Sequence, residues 1–234
     1  MPSPLPIVLG HEGVGVVREL GPGVAGLAPG DPVVCTIIPS CGRCFYCARG
    51  EDPLCEEIVF YTGRMLDGTT RLSRQGEPIH SLSYQASFAE RAIVPERCAV
   101  RVRREAPLEH LVGLACGVST GLGASMLRAP VEPGSSVLVI GAGGVGLAAL
   151  MGARLRGAGL LVAADLVPAR LERARALGLA HHTIDPSREP LAERVRALCG
   201  GVGALVDAWY RLDELPRAFD DLAHGRVTRG AIRF

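Results

Sequence analysis

The sequence predicts an α/β plus β fold, with a β-rich first half joined to a parallel α/β sheet. Three observations carry that prediction. To about residue 113, short β-type runs are cut repeatedly by glycine and proline. Within that half, four cysteines fall inside the fifteen positions from Cys41 to Cys55. From Ser135 onward, continuous apolar runs alternate with helical stretches, the pattern of strands joined by crossover helices.

In the first half, strands are expected at 14–19, 32–38, 88–94 and 99–102, and 111–127 contains a helix leading out. In the second, strand 137–140 is followed by a glycine turn and a helix over 145–156. A second strand, Leu160–Ala164, ends on Asp165. Residues 168–177 read as a helix, with Pro168 suited to its first turn and Gly178 to its end. His182–Ile184 is a third strand, 191–199 a third helix and 204–206 a fourth strand. After Asp207 come Trp209 and Tyr210, an amphipathic helix around 213–223 and a strand-like piece at 230–234.

Composition narrows the function. A chain of 234 residues holds one large domain or two small ones. The formal net charge is +1, and all 25 basic residues are arginines, scattered rather than clustered. Nothing there points to nucleic acid or a membrane surface. No apolar run of about 18 residues or more is apparent, and the first residues lack the charged-then-apolar order of a signal peptide. The cytoplasm is therefore expected, where thiols stay reduced and clustered cysteines favour metal over disulfides.

Cys41, Cys44, Cys47 and Cys55 have the spacing of a thiolate metal site. Two-residue gaps let successive turns direct sulfurs inward, and Gly42 and Gly50 let the backbone fold tightly. Four thiolates around zinc leave no open position, so the expected role is structural. An iron–sulfur cluster or two disulfides are the rival readings.

Gly141-Ala142-Gly143-Gly144-Val145-Gly146 follows a predicted strand and opens a predicted helix. In that context the first glycine makes the turn, the second lets a pyrophosphate approach the backbone, and the last lets helix and strand pack closely. The helix N-terminus offers free N–H groups to phosphates. Asp165, at the end of the next strand, can accept from ribose hydroxyls and would repel a 2′-phosphate; Leu166 and Val167 offer no compensating cation. NAD is expected over NADP.

These two motifs, in this order, resemble the zinc-dependent medium-chain alcohol dehydrogenase family. The resemblance extends to Leu9-Gly10-His11-Glu12-Gly13-Val14-Gly15, to Pro29-Gly30-Asp31-Pro32-Val33-Val34 and to Leu114-Ala115-Cys116-Gly117-Val118-Ser119-Thr120-Gly121. It implies a GroES-like catalytic domain over 1–113 with a structural-zinc lobe at 41–55. A partial Rossmann NAD-binding domain over 114–207 and a C-terminal segment over 208–234 returning to the catalytic domain would follow. By the same resemblance His11 and Cys116 are catalytic-zinc ligands, and Glu12 stands behind them or serves as an alternate ligand. Gly141, Gly143, Gly144, Gly146, Asp165, Arg170 and Arg229 hold the cofactor, Arg170 near the adenosine ribose and Arg229 at the pyrophosphate. The remaining histidines match no motif of the family.

The resemblance implies a zinc-dependent oxidoreductase that oxidises an alcohol to an aldehyde or ketone with NAD, in a family of homo-oligomers. The branch acting on S-(hydroxymethyl)glutathione carries an arginine four residues beyond the last structural cysteine, where this sequence has Val59. Against the family pattern, no cysteine precedes Cys35 to act as the first catalytic ligand. The nicotinamide-binding strands expected after 204–206 are also missing. The alternative expectation is thus an inactive relative that keeps structural zinc and binds NAD weakly.

Overall fold

Glycine turns and short apolar runs in the first half build two small sheets, described by a computed structural model that covers residues 4–58, 62–129, 131–199, 208–211, 217 and 230–233. The chain divides into two units, Met1–Gly123 and Ala124–Phe234.

In the first unit, β1 (Ile7–Val8), β2 (Val14–Val16), β3 (Pro32–Cys35), β4 (Leu72–Arg74), β5 (Glu77–Ser81) and β6 (Ala99–Arg101) form two three-stranded sheets. One runs β2-β3-β6 and is antiparallel, with Val14 opposite Val34 and Val33 opposite Arg101. Its β2–β3 connection ends in a turn at Gly30 (φ +92°), closed by the buried Asp31 carboxylate, which accepts the Ala28 N–H at 2.9 Å. Arg101 and Arg104 each stand 3.6 Å from that carboxylate. The second sheet runs β1-β5-β4. Gln75 and Gly76 both take positive φ between β4 and β5, the backbone of a two-residue hairpin turn whose twist matches the strands. A helical turn, α1 (Phe45–Ala48), lies inside the cysteine segment. The buried apolar cluster of this unit consists of Met65, Tyr84 and Cys98, with Ile58 and Val94 packed against it.

Three expectations change here. Strands predicted over 14–19 and 32–38 stop at Val16 and Cys35. Residues 88–94 form no strand: the Ser87 and Phe88 N–H groups bond to the carbonyls of Gly10 and Leu9, and the pairing ends there. The third concerns the segment Leu108–Arg128, whose length and mean hydropathy of 1.4 suit a membrane span, although the sequence showed no such run. Its backbone argues otherwise. Gly113, at φ +81°, interrupts it, so the continuous helical stretch is π-helical Leu114–Val118, α2 (Ser119–Gly123) and π-helical Ala124–Arg128. At 1.5 Å per residue that stretch reaches about 22 Å, short of the roughly 30 Å of a hydrocarbon core.

The second unit follows the predicted alternation closely: β7 (Ser136–Ile140), α3 (Gly144–Leu155), β8 (Leu160–Ala164), α4 (Pro168–Ala176), β9 (His182–Ile184) and α5 (Leu191–Leu198). The three strands are parallel in the order β7-β8-β9. Successive side chains of a strand face opposite ways, and β8 uses both faces. Leu161 and Ala163 join Leu150, Ala153, Leu171 and Ala174 on one side, while Val162 and Ala164 join Ile184, Leu191 and Val195 on the other. That is a parallel sheet covered by helices on both faces. Further along, β10 (Ala208–Arg211) pairs in parallel with β11 (Gly230–Arg233). The strand expected at 204–206 and the helix around 213–223 lie outside the described residues.

Candidate metal centres and dinucleotide site

In the cysteine lobe, positive φ at Gly42 (+74°) and Gly50 (+75°) turns the chain twice, once on each side of α1. The four sulfurs of Cys41, Cys44, Cys47 and Cys55 consequently lie within 4.8 Å of one another. Cys41 and Cys47 sulfurs are 4.0 Å apart, close to the roughly 3.8 Å edge of a tetrahedron with 2.3 Å metal–sulfur bonds. All four cysteines are free thiols, which removes the disulfide reading. Sulfurs drawn this close suit a single ion rather than a cluster that would interpose its own sulfides.

The backbone supports charge on these sulfurs. Cys41 N–H points at Cys55 Sγ and Cys44 N–H at Cys41 Sγ, both at 3.3 Å. Backbone N–H groups of Cys47 and Glu56 hold the Cys44 thiol down to about 6. Withdrawal from water, with neighbouring thiols adding, pushes Cys47 up to about 12. Four thiolates at this spacing coexist only around a cation. The residues fit structural zinc.

A second cluster forms from residues far apart in the chain. Gly10 sits at φ +100°, and a Cβ there would meet Phe88 N at 2.5 Å, so only glycine lets the segment before β2 press against residues 87–88. That contact fixes His11. Its Nε2 lies 3.3 Å from Cys116 Sγ. Glu12 Oε1 accepts the Gly117 N–H at 3.1 Å, and the turn at Gly113 runs beside the same carboxylate. His11, Glu12 and Cys116 thus offer one nitrogen, one oxygen and one sulfur within 4.8 Å. Burial, with the Glu12 carboxylate adding, raises the Cys116 thiol above its ordinary range. This mixed donor set fits zinc, and three donors leave a fourth position open.

In the second unit, Gly141 turns the chain at φ +94° after β7. A Cβ on Gly146 would run into the Gly141 carbonyl oxygen, whereas Gly143 and Gly144 face open space. The turn is therefore closed on its strand side and accessible at the start of α3, a cradle that suits a pyrophosphate. The Asp165 side chain is only 5% exposed. It accepts the Ala142 N–H through Oδ2 and the Val167 N–H through Oδ1, both at 2.8 Å. Arg170 stands 3.5 Å away. The Val167 N–H foremost, then the Ala142 N–H and Arg170, hold this carboxyl below its ordinary value against the opposing effect of burial. A carboxylate with two backbone bonds keeps lone pairs for ribose hydroxyls. Arg229 and Val59 lie outside the described residues.

Comparison with known proteins agrees with both units. Residues 1–104 match the alcohol dehydrogenase GroES-like domain family, and residues 144–225 match the zinc-binding dehydrogenase family. An alcohol dehydrogenase zinc-binding domain protein from Burkholderia ambifaria is 31% identical and aligns over 100% of this chain and 85% of its own, with a TM-score of 0.76. The chain belongs to the zinc-dependent medium-chain alcohol dehydrogenase family. Its fold is the family's, a GroES-like domain plus a Rossmann-like parallel sheet.

Among other members, benzyl alcohol dehydrogenase from Acinetobacter calcoaceticus is 33% identical over 99% of this chain and 62% of its own, with a TM-score of 0.77. A class-3 alcohol dehydrogenase of Myxine glutinosa is 40% identical over 199 residues, 84% of this chain. The chain spans about half, 53%, of that relative's length.

Some residues that shape these sites carry no sequence signal of their own. The Ala142 N–H that meets Asp165 is a backbone group, invisible to a motif. Gln85 Oε1 accepts the Gly13 N–H at 3.2 Å, directly after the His11-Glu12 pair, from a segment without motif character. His181, which matched nothing, accepts the Leu161 N–H through Nδ1 at 2.9 Å and so ties β8 to the segment before β9.

Proposed function

We propose that this chain carries the metal-binding and adenosine-binding parts of an NAD-dependent zinc oxidoreductase that converts an alcohol to an aldehyde or ketone. The observation that carries the reading is the convergence of His11, Glu12 and Cys116 across 105 positions of sequence. Convergence over that distance is a product of the fold, not of a local turn.

His11 Nε2, Cys116 Sγ and Glu12 would hold one zinc, and Cys41, Cys44, Cys47 and Cys55 a second, structural one. Bound zinc supplies Lewis acidity toward an alcohol oxygen, and NAD supplies the hydride acceptor. The Glu12 carboxylate is oriented by the Gly117 N–H, so it faces the cluster without rearrangement. Gly141, Gly143, Gly144 and Gly146 shape the phosphate turn, and the N–H groups opening α3 face it. Asp165, with Arg170 beside it, takes the ribose hydroxyls; its buried charge disfavours a 2′-phosphate and so selects NAD. Arg229 would complete the pyrophosphate contacts. On this reading the catalytic domain is 1–113, the cofactor domain 114–207, and 208–234 a returning segment. Eight free thiols suit the cytoplasm.

The second reading is a relative that keeps structural zinc and at most weak NAD binding. One pair of measurements separates the two: zinc per chain, and NADH formation with ethanol and with benzyl alcohol. Two zincs and NADH formation are expected if the three-donor cluster works as proposed. One zinc and no NADH would overturn that reading in favour of the second.

A further inference from the structure

Gln85 is almost fully buried, at 1% exposure, and its two polar atoms have different fates. The Gly13 N–H requires an acceptor, so Oε1 faces it, and Nε2 is left buried with no partner among the described residues. An unmet buried donor of this kind is costly and calls for an acceptor.

Gln85 lines a small recess, open to solvent on one side and with room at its inner end for about one water-sized atom, together with Arg71, Ser81 and Arg91. The charges there are unequally spent. Arg71 is paired with Asp67, at 2.5 Å. Arg91 is exposed and makes no ion pair or side-chain hydrogen bond among the described residues. No carboxylate lines the cavity among the described residues. The wall therefore presents a free guanidinium, an amide donor without a partner and a hydroxyl, and nothing that would repel negative charge. Donors without acceptors select an acceptor-only ligand.

We propose that this cavity binds a small oxyanion, a phosphate or a carboxylate, with one oxygen accepting from Gln85 Nε2 and Arg91 supplying the opposing charge. A water could satisfy the amide, whereas an anion's oxygen would satisfy it and meet the Arg91 charge as well. Because Oε1 of the same amide holds Gly13, an occupied site also fixes the backbone immediately after His11 and Glu12.

The test is calorimetric titration of the full zinc-loaded chain with inorganic phosphate, acetate and chloride at constant ionic strength. Arg91→Ala and Gln85→Glu serve as variants. The second keeps an oxygen for Gly13 and replaces the donor by a negative acceptor. One equivalent of phosphate or acetate should bind, and each variant should weaken it at least about tenfold, the effect of losing a charge-assisted bond. Phosphate binding alone identifies an inorganic or phosphoester source, and acetate binding alone a carboxylate source; both support the site. Binding of neither, or chloride binding equally well, overturns it. Equal binding by wild type and both variants also overturns it, since the anion would then sit elsewhere, as at the glycine turn.

Discussion

Residues 4–123 and 131–199 bury their backbones by different means. In the second unit, β8 is sandwiched between two apolar clusters, and Leu150, Ala153, Leu161, Val162, Ala163 and Ala164 are each at most 1% exposed. In the first, the apolar cluster is Met65, Tyr84 and Cys98, with Val33, Val34 and Cys35 buried separately along β3. Polar closures do more there: the Asp31 carboxylate beneath its turn, the Gln85 amide on Gly13, and the four-sulfur lobe. A unit with so small an apolar core depends on staples, whereas a two-faced sheet depends on hydrocarbon. The difference teaches where each unit is vulnerable.

The largest effect should follow from removing the staple. Cys44→Ser is expected to release the lobe zinc and lower the thermal midpoint by on the order of 10 °C, since structural zinc binding is folding free energy. Hydrogen exchange would locate the damage: protection should fall around 41–58 and persist over 136–198. Unchanged zinc content, or equal loss in both units, would break the comparison.

Next in size is Leu150→Ala, which empties a side chain of 0% exposure facing β8. A cost of about 3 kcal/mol is expected, read by urea unfolding. Zinc content should not change, and that constancy sharpens the contrast with the lobe.

The smallest effect concerns acid. Asp165 is held below its ordinary pKa chiefly by the Val167 N–H, so its contribution is present above the ordinary carboxylate value, about 4. It is lost as pH falls through the lower folded value. Urea midpoints followed from neutral pH downward should show that loss in wild type and a flatter profile in Asp165→Asn. Parallel profiles would refute the coupling.

How far the sequence spoke follows the same division. Residues 136–198 were legible almost residue by residue, because β7, β8 and β9 form a parallel sheet whose crossovers impose a strict alternation. The cysteine lobe was legible because its four ligands share one loop. The first unit's sheets were less so. The β1–β5 pairing joins Ile7 to His80 across the chain, and the Gln75-Gly76 turn lacks the Asn or Asp that usually marks such hairpins. Phe88 to Val94 reads as a short β-segment yet leaves Phe88 and Ile93 exposed, since a strand needs a partner as well as a composition. The interruption of the apolar segment at Gly113 depends on the φ of one glycine and has no signature in hydropathy.

The contact between Gly146 and the Gly141 carbonyl has a consequence for engineering. No side chain larger than hydrogen fits at Gly146, so saturation mutagenesis there returns broken sheets rather than altered cofactor preference. Gly143 and Gly144 have room around them, and Leu166 is 67% exposed. A library meant to retune dinucleotide choice should therefore hold Gly141 and Gly146 constant and spend its diversity at 166–170, where side chains can change without moving the backbone.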